Sequence, residues 1–190
     1  MFNVIEDFYH PSDFGLVVAN FMNLHWKATY QSKVQLYGGN RFNAYPCHET
    51  DIFEKDDNTF STYNILKNTF ENKTNIKILK LKTFLRKIKF KEIKKAACFK
   101  NNKPHKDDQG WDIAGLIYFN SGSLRDGTYI YNSEYDFDPS IIIGSKMNRC
   151  TYYDTETWHS PGMEQEIEER WVQPFFIVHK KETLEKRNET

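Results

Sequence analysis

A mainly β protein, an antiparallel sandwich or jelly roll with helices packed at its N-terminal end, is what three features of this 190-residue chain predict. Short apolar or β-branched runs recur from residue 76 onward, and polar turn clusters separate them. Helical spacing of apolar residues is confined to the first 75 positions. Aromatic residues make up 16% of the chain, which argues for a folded core and against disorder.

In chain order, Val4 and Ile5 form a short opening strand. Pro11-Ser12-Asp13 starts a helix through about Asn23, with Phe14, Val17 and Phe21 at helical steps. Residues 31–56 hold turn formers and aromatics, such as Gly38-Gly39-Asn40 and Ala44-Tyr45-Pro46, and read as loops and short extended pieces. Asp57-Asn58 caps a second helix through about Phe70, with Phe60, Tyr63, Leu66 and Phe70 on one stripe. Ile76-Lys77-Ile78 then alternates, and Leu79, Leu81, Thr83 and Leu85 continue at period two. Further strands are expected at Ala96–Phe99, Ile113–Phe119, Thr128–Tyr131, Ile141–Ile143, Cys150–Tyr153 and Trp171–Val178. Asn120-Ser121-Gly122-Ser123 and Asp138-Pro139-Ser140 are turns between them. The expected layout is one domain over 1–190: helical support at 1–75, a β core at 76–180, and a polar, frayed tail at 181–190.

Formal net charge is zero, so bulk charge names no partner. No apolar run approaches the roughly 18 residues of a membrane span. The opening Met1-Phe2-Asn3-Val4-Ile5-Glu6-Asp7 lacks the basic start and apolar centre of a secretory signal, so a cytoplasmic protein is expected. Cys47, Cys98 and Cys150 are far apart and odd in number; they read as reduced thiols, and no C-x-x-C pair suggests zinc. Between Lys77 and Lys95 lie nine basic residues and a single acid, Glu92. This span is either a strip for nucleic acid or the solvated face and charged edge of strands, and the second reading is preferred.

The chemistry concentrates in two places. Lys103-Pro104-His105-Lys106-Asp107-Asp108 is the first, and Trp158-His159-Ser160-Pro161 with Arg170-Trp171-Val172-Gln173-Pro174-Phe175-Phe176 is the second. Residues two apart on extended chain share a face, so His105 and Asp107 point together and Asp108 points away. With His159 they make a 2-His-1-carboxylate set, which occupies one face of an Fe(II) ion and leaves the other open. A guanidinium at Arg170 offers a planar fork for the distal carboxylate of a keto acid. The alternatives are a surface His105 in a charged turn, a core role for Tyr118, and an Arg170 paired with the acidic loop Glu164, Glu166, Glu168 and Glu169.

Further motifs fall in order around these residues. Tyr118-Phe119-Asn120 follows the H-x-D pair; Asp126-Gly127-Thr128-Tyr129 is a glycine turn into a strand; Asn148-Arg149 precedes His159; Arg170 opens a strand ending in Phe175-Phe176. Over residues 96–178 the chain resembles the Fe(II)- and 2-oxoglutarate-dependent oxygenases, nearest in pattern to their prolyl-hydroxylase-like branch. The resemblance implies a double-stranded β-helix, a jelly roll, with N-terminal supporting helices. It implies His105, Asp107 and His159 as catalytic iron ligands, Arg170 as partner of the far carboxylate of 2-oxoglutarate, and Tyr118 as a hydroxyl donor to it. It implies Fe(II) and 2-oxoglutarate as cofactors, O2 as cosubstrate, and hydroxylation of an unidentified protein or small-molecule substrate with release of succinate and CO2. Where the family more usually has a double glycine, this chain has Asp126-Gly127; where some subfamilies carry a serine, it has Val172. Phe176 stands where nucleic-acid demethylases of the superfamily carry a second arginine, which tells against a nucleic-acid substrate. The competing readings are a non-catalytic cupin-like metal module and a nucleic-acid binder acting through Lys77–Lys95.

Overall fold

Two antiparallel sheets share an interior in the computed structural model of the chain, which describes residues 2–24, 26–28, 47–53, 62–89, 104–107, 110–162 and 168–188. The larger sheet runs β1 (Phe2–Ile5), β9 (Cys150–Asp154), β6 (Ile113–Tyr118), β11 (Glu169–Val178), β5 (Arg86–Lys89), β3 (His48–Glu49), β2 (Lys27–Ala28), with β4 (Lys80–Thr83) also paired to β11. The smaller runs β10 (His159–Pro161), β7 (Thr128–Ile130), β8 (Ile141–Ile143). Helices α1 (Pro11–Asn23), α2 (Thr62–Thr74) and α3 (Lys181–Asn188) complete the described elements, with a 3-10 turn at Leu124–Asp126.

Strand alternation sorts the side chains onto two faces. On β6, Ile113 and Ile117 meet the helices, and on β11, Phe175 and Ile177 do the same. Phe8, Tyr9, Val17, Phe21, Leu66 and Phe70 close that layer from the other side. The opposite parity, Ala114 of β6, Tyr153 of β9 and Phe176 of β11, packs with Ile130, Ile141 and Ile143 of the smaller sheet. Tyr118, Arg170 and Val172 have this second parity, so they belong to the space between the sheets.

The helices form for the expected reasons. Pro11 stands at the first turn of α1, the His10 ring accepts from Ser12 N–H, and Val17 and Phe21 are buried. In α2, Thr62, Leu66 and Phe70 recur at four-residue steps and are buried.

The expected opening strand is β1, at one edge of the larger sheet, and β3, within the span expected to hold short extended pieces, lies with β2 at the other. Two-residue strands carry too little pattern to be read in advance. Several expectations change. Ile76–Ile78 is not a strand, and pairing starts at Lys80. The second helix runs on to Thr74; its expected start at 57–61 lies outside the described residues, as do the Ala96–Phe99 run, Cys98, Asp108 and most of 31–56. The tail is a helix, because Asp112 caps it: its carboxylate accepts from the N–H of His179 and Lys180 at 2.8 and 2.9 Å and from the Thr183 hydroxyl at 2.6 Å. Burial alone raises the Asp112 carboxyl, but these hydrogen bonds outweigh it and hold its pKa below the usual value. Within the basic span, β5 is covered by β3, with β2 beyond it, whereas β4 is paired along its length only with β11; residues 90–95 lie outside the described residues. Arg86 pairs with Glu49 at 2.6 Å, and the Lys87 ammonium sits 4.1 and 4.5 Å from the Trp26 and Trp171 rings. No described helix is long and apolar enough to cross a membrane.

Candidate metal centre

His105 and His159 are joined as a hydrogen-bonded β pair. Each donates its N–H to the other's carbonyl, both at 2.9 Å. This bridge adds the 104–107 segment to the free side of β10 and so extends the smaller sheet. Two residues on, Asp107 N–H donates to Thr155 O at 3.2 Å, and Thr155 is itself tied to Trp111 and Asp112. Both ligand-bearing segments are therefore fixed by backbone bonds.

The side chains converge. One ligand atom each from His105, Asp107 and His159 lies within 4.8 Å of the others. The two imidazole centroids are 4.4 Å apart, and His159 Nε2 is 3.4 Å from Asp107 Oδ2. His159 Nδ1 lies 3.0 Å from Thr157 O, a pure acceptor, so Nδ1 carries the proton and Nε2 presents its lone pair toward Asp107. Burial lowers the His159 pKa to about 4, and the Thr157 carbonyl opposes that shift. The ring is thus neutral at physiological pH, as a ligand must be. The Tyr153 ring packs 4.6 Å from it and closes the inner side. Two imidazoles and one carboxylate converging on one point fit a divalent ion of the Fe(II) type with open positions.

Deeper between the sheets is a second feature. Arg170 is 1% exposed, yet among the described residues no carboxylate pairs with it. One Nη donates to Gly162 O at 3.2 Å, and the buried Nε has no partner. Its guanidinium carbon lies 5.3 Å from the Tyr118 ring centroid. The Tyr118 hydroxyl shares a 2.5 Å hydrogen bond with Thr128 Oγ1, both groups being buried. A buried, under-bonded cation is costly unless an anion joins it. Gly162 follows His159 by three positions on one extended segment, roughly 10 Å at strand rise.

The remaining motif residues brace this arrangement. Asn120 Nδ2 donates to Glu169 O at 2.7 Å and its Oδ1 accepts from Trp171 N–H at 2.9 Å, so one side chain grips β11 on both sides of Arg170. A Cβ on Gly127 would overlap the Ile143 carbonyl, which is why the turn into β7 has glycine there. Asn148 has φ 63°, an accessible left-handed state for asparagine, and its amide bonds both N–H and C=O of Tyr9. Sequence reasoning missed Thr128 and the grip of Asn120. Asn120 was visible only as a motif member, and Thr128 only as the residue after the turn glycine.

No protein-family model matches the chain, and no curated protein is similar to it in sequence. Solved structures are similar in fold. A 2OG-Fe(II) oxygenase-family oxidoreductase from Burkholderia pseudomallei superposes with TM-score 0.61 at 7% identity, over 94% of this chain and 86% of that one. A Trichoplax adhaerens prolyl hydroxylase, solved with a hypoxia-inducible-factor peptide fragment, gives 0.58 at 15% identity over 100% and 86%. A Pseudomonas putida prolyl-4-hydroxylase gives 0.52 at 10% identity over 94% and 92%.

The fold is that of the 2-oxoglutarate/Fe(II) oxygenases. The double-stranded β-helix expected from the motifs is therefore the observed architecture. Within this oxygenase fold, His105, Asp107 and His159 come together at one end of the smaller sheet, and Arg170, Tyr118 and Thr128 come together further in. The alternative pairing of Arg170 with the acidic loop is not formed with Glu168 or Glu169; Glu164 and Glu166 lie outside the described residues.

Proposed function

We propose that the chain is an Fe(II)- and 2-oxoglutarate-dependent dioxygenase that hydroxylates a C–H bond of a protein, prolyl-type, or small-molecule substrate and releases succinate and CO2. The observation that carries this reading is the buried Arg170 with its unpartnered Nε, set beyond a His-Asp-His cluster. A cupin-like metal module needs the cluster and has no use for the arginine. A nucleic-acid binder needs free cations, whereas Arg86 and Lys87 are engaged within the fold.

Iron with 2-oxoglutarate supplies the oxidising power: O2 is split between succinate and the substrate C–H bond. The rest belongs to the chain's own residues. His105, Asp107 and His159 would hold the ion, and Thr157 O, by accepting from His159 Nδ1, would leave the Nε2 lone pair free to bind it. The Arg170 fork binds the far carboxylate through charge-assisted hydrogen bonds, and the Tyr118–Thr128 hydroxyl pair offers it one further donor. Tyr153, Ile130, Ile143 and Phe176 line the interior with apolar surface and keep water from the reacting centre.

Succinate formation tests this. It should depend on both Fe(II) and 2-oxoglutarate and rise when a substrate peptide or host extract is added. His105→Ala should abolish it and lose iron while changing stability by only about 1 kcal/mol, since a half-buried ligand at a cavity mouth adds little to the core. Iron-independent turnover, or wild-type turnover in His105→Ala, would reject the proposal.

A further inference from the structure

The loop between β7 and β8, residues 131–140, starts and ends beside the candidate metal centre. Ile130 is in register with His159 on one side and with Ile141 on the other. Tyr131 N–H donates to Trp158 O at 2.9 Å, and its hydroxyl shares a buried 3.0 Å hydrogen bond with Ser160. From that base the loop carries Tyr135 and Phe137 into water, 79% and 98% exposed. Asp136, between them, turns inward: its carboxylate accepts from the N–H groups of Asn132 and Ser133 and from the Ser133 hydroxyl at 2.8–3.1 Å. The backbone under the two rings is thus fixed, and Phe137 has almost no contact within its own chain. Exposed aromatics on a braced loop at a site mouth mark a surface that something else covers.

The loop's charge selects what covers it. Residues 131–140 hold Glu134, Asp136 and Asp138 and neither Lys nor Arg. Such a flank attracts cations and repels phosphate. Exposed rings add cation–π and apolar contact for a lysine or arginine stem. A small molecule seated at the metal ligands does not also cover a ring 98% exposed at a loop tip, so the ligand is a polymer, and the acidic flank disfavours nucleic acid. We infer that the β7–β8 loop docks a lysine- or arginine-bearing polypeptide, which runs from the loop into the metal centre as the substrate. This rests on the oxygenase reading above and gives it a substrate class.

Two fluorescein-labelled peptide pools, each with a central proline, test it by anisotropy on the full-length chain. One pool has Lys and Leu in its flanks, the other Glu and Leu. The Lys pool should bind at least about tenfold tighter than the Glu pool, and its affinity should fall with salt. Tyr135→Ser with Phe137→Ser should weaken the Lys pool about tenfold, and Glu134→Gln with Asp138→Asn should remove the preference between pools. Asp136 is left intact because it holds the loop. Substrate-independent succinate formation, measured on the same samples, should be unchanged in both double variants. Equal binding of the pools, binding of neither, or unchanged affinity in the variants overturns the inference. So does concentration-dependent self-association that the ring variant abolishes, which would assign the rings to a second copy of the chain. Loss of succinate formation in the wild type with peptide binding retained would sink the oxygenase reading and leave the docking surface standing.

Discussion

Arg170 is the residue on which the proposed reading turns, because it is buried, cationic and short of partners. Arg170→Leu should weaken 2-oxoglutarate binding by on the order of 2–5 kcal/mol, since the incoming carboxylate loses its fork. Arg170→Lys keeps the charge, loses the paired geometry, and should fall between. In the ligand-free protein Arg170→Leu should leave stability unchanged or raise it, because it removes a buried charge with no counterion. Anaerobic titration of 2-oxoglutarate into the Fe(II)-loaded protein reads the first effect, and thermal unfolding of the metal-free protein reads the second. Equal affinity in wild type and Arg170→Leu would make the arginine a structural residue. At this scale the sequence was informative where chemistry forces a residue type. His105, Asp107, His159 and Arg170 stand out because few other side chains do their work. Thr128 does not stand out, because its hydroxyl matters only through a partner, Tyr118, on the opposite sheet.

A strand is only as well placed as its flanking bonds, and β11 has an unusual one. Beyond Tyr118, where β6 ends, the side chain of Asn120 carries on the ladder and clasps the backbone either side of Arg170. Asn120→Ala should therefore weaken 2-oxoglutarate binding by up to about thirtyfold while Fe(II) affinity stays as it was, from the loss of two hydrogen bonds worth roughly 1 kcal/mol each. The same anaerobic titration, run beside an Fe(II) titration, checks it; equal losses in both would point to general loosening. Elements with a strong period were legible beforehand: α1 from Phe14, Val17 and Phe21, and β6, β9 and β11 from their apolar runs. Others were not. β2 and β3 are two residues each and exist through pairing with β5, which is distant in sequence. α3 is polar apart from Leu184, and it folds back because Asp112 satisfies the N–H groups of His179 and Lys180 just before its first turn.

Taken as one molecule, the protein has a helix-covered sheet that is densely filled and a second, smaller sheet whose free side is completed by the 104–107 segment. An ion that binds both His105 and His159 joins that segment to β10, so it should stabilise the whole fold. At a free Fe(II) concentration 100 times Kd the gain is about 2.7 kcal/mol, or roughly 5–10 °C in Tm for a chain of this size. Anaerobic thermal unfolding with and without Fe(II) measures it; His105→Ala should show no shift. The backbone bridge between the two histidines has one more consequence. Their spacing is set by the rung of a β-ladder, with the imidazoles opposed only when residue 105 meets residue 159. A slip by a single residue would swing Pro104 or Lys106 into the cavity and carry His105 to the outer face. Chains paired out of register are therefore blind to iron. On the proposed reading, bound metal per chain would count the molecules that have zipped correctly, and a refolded sample could be graded for pairing errors by its iron content.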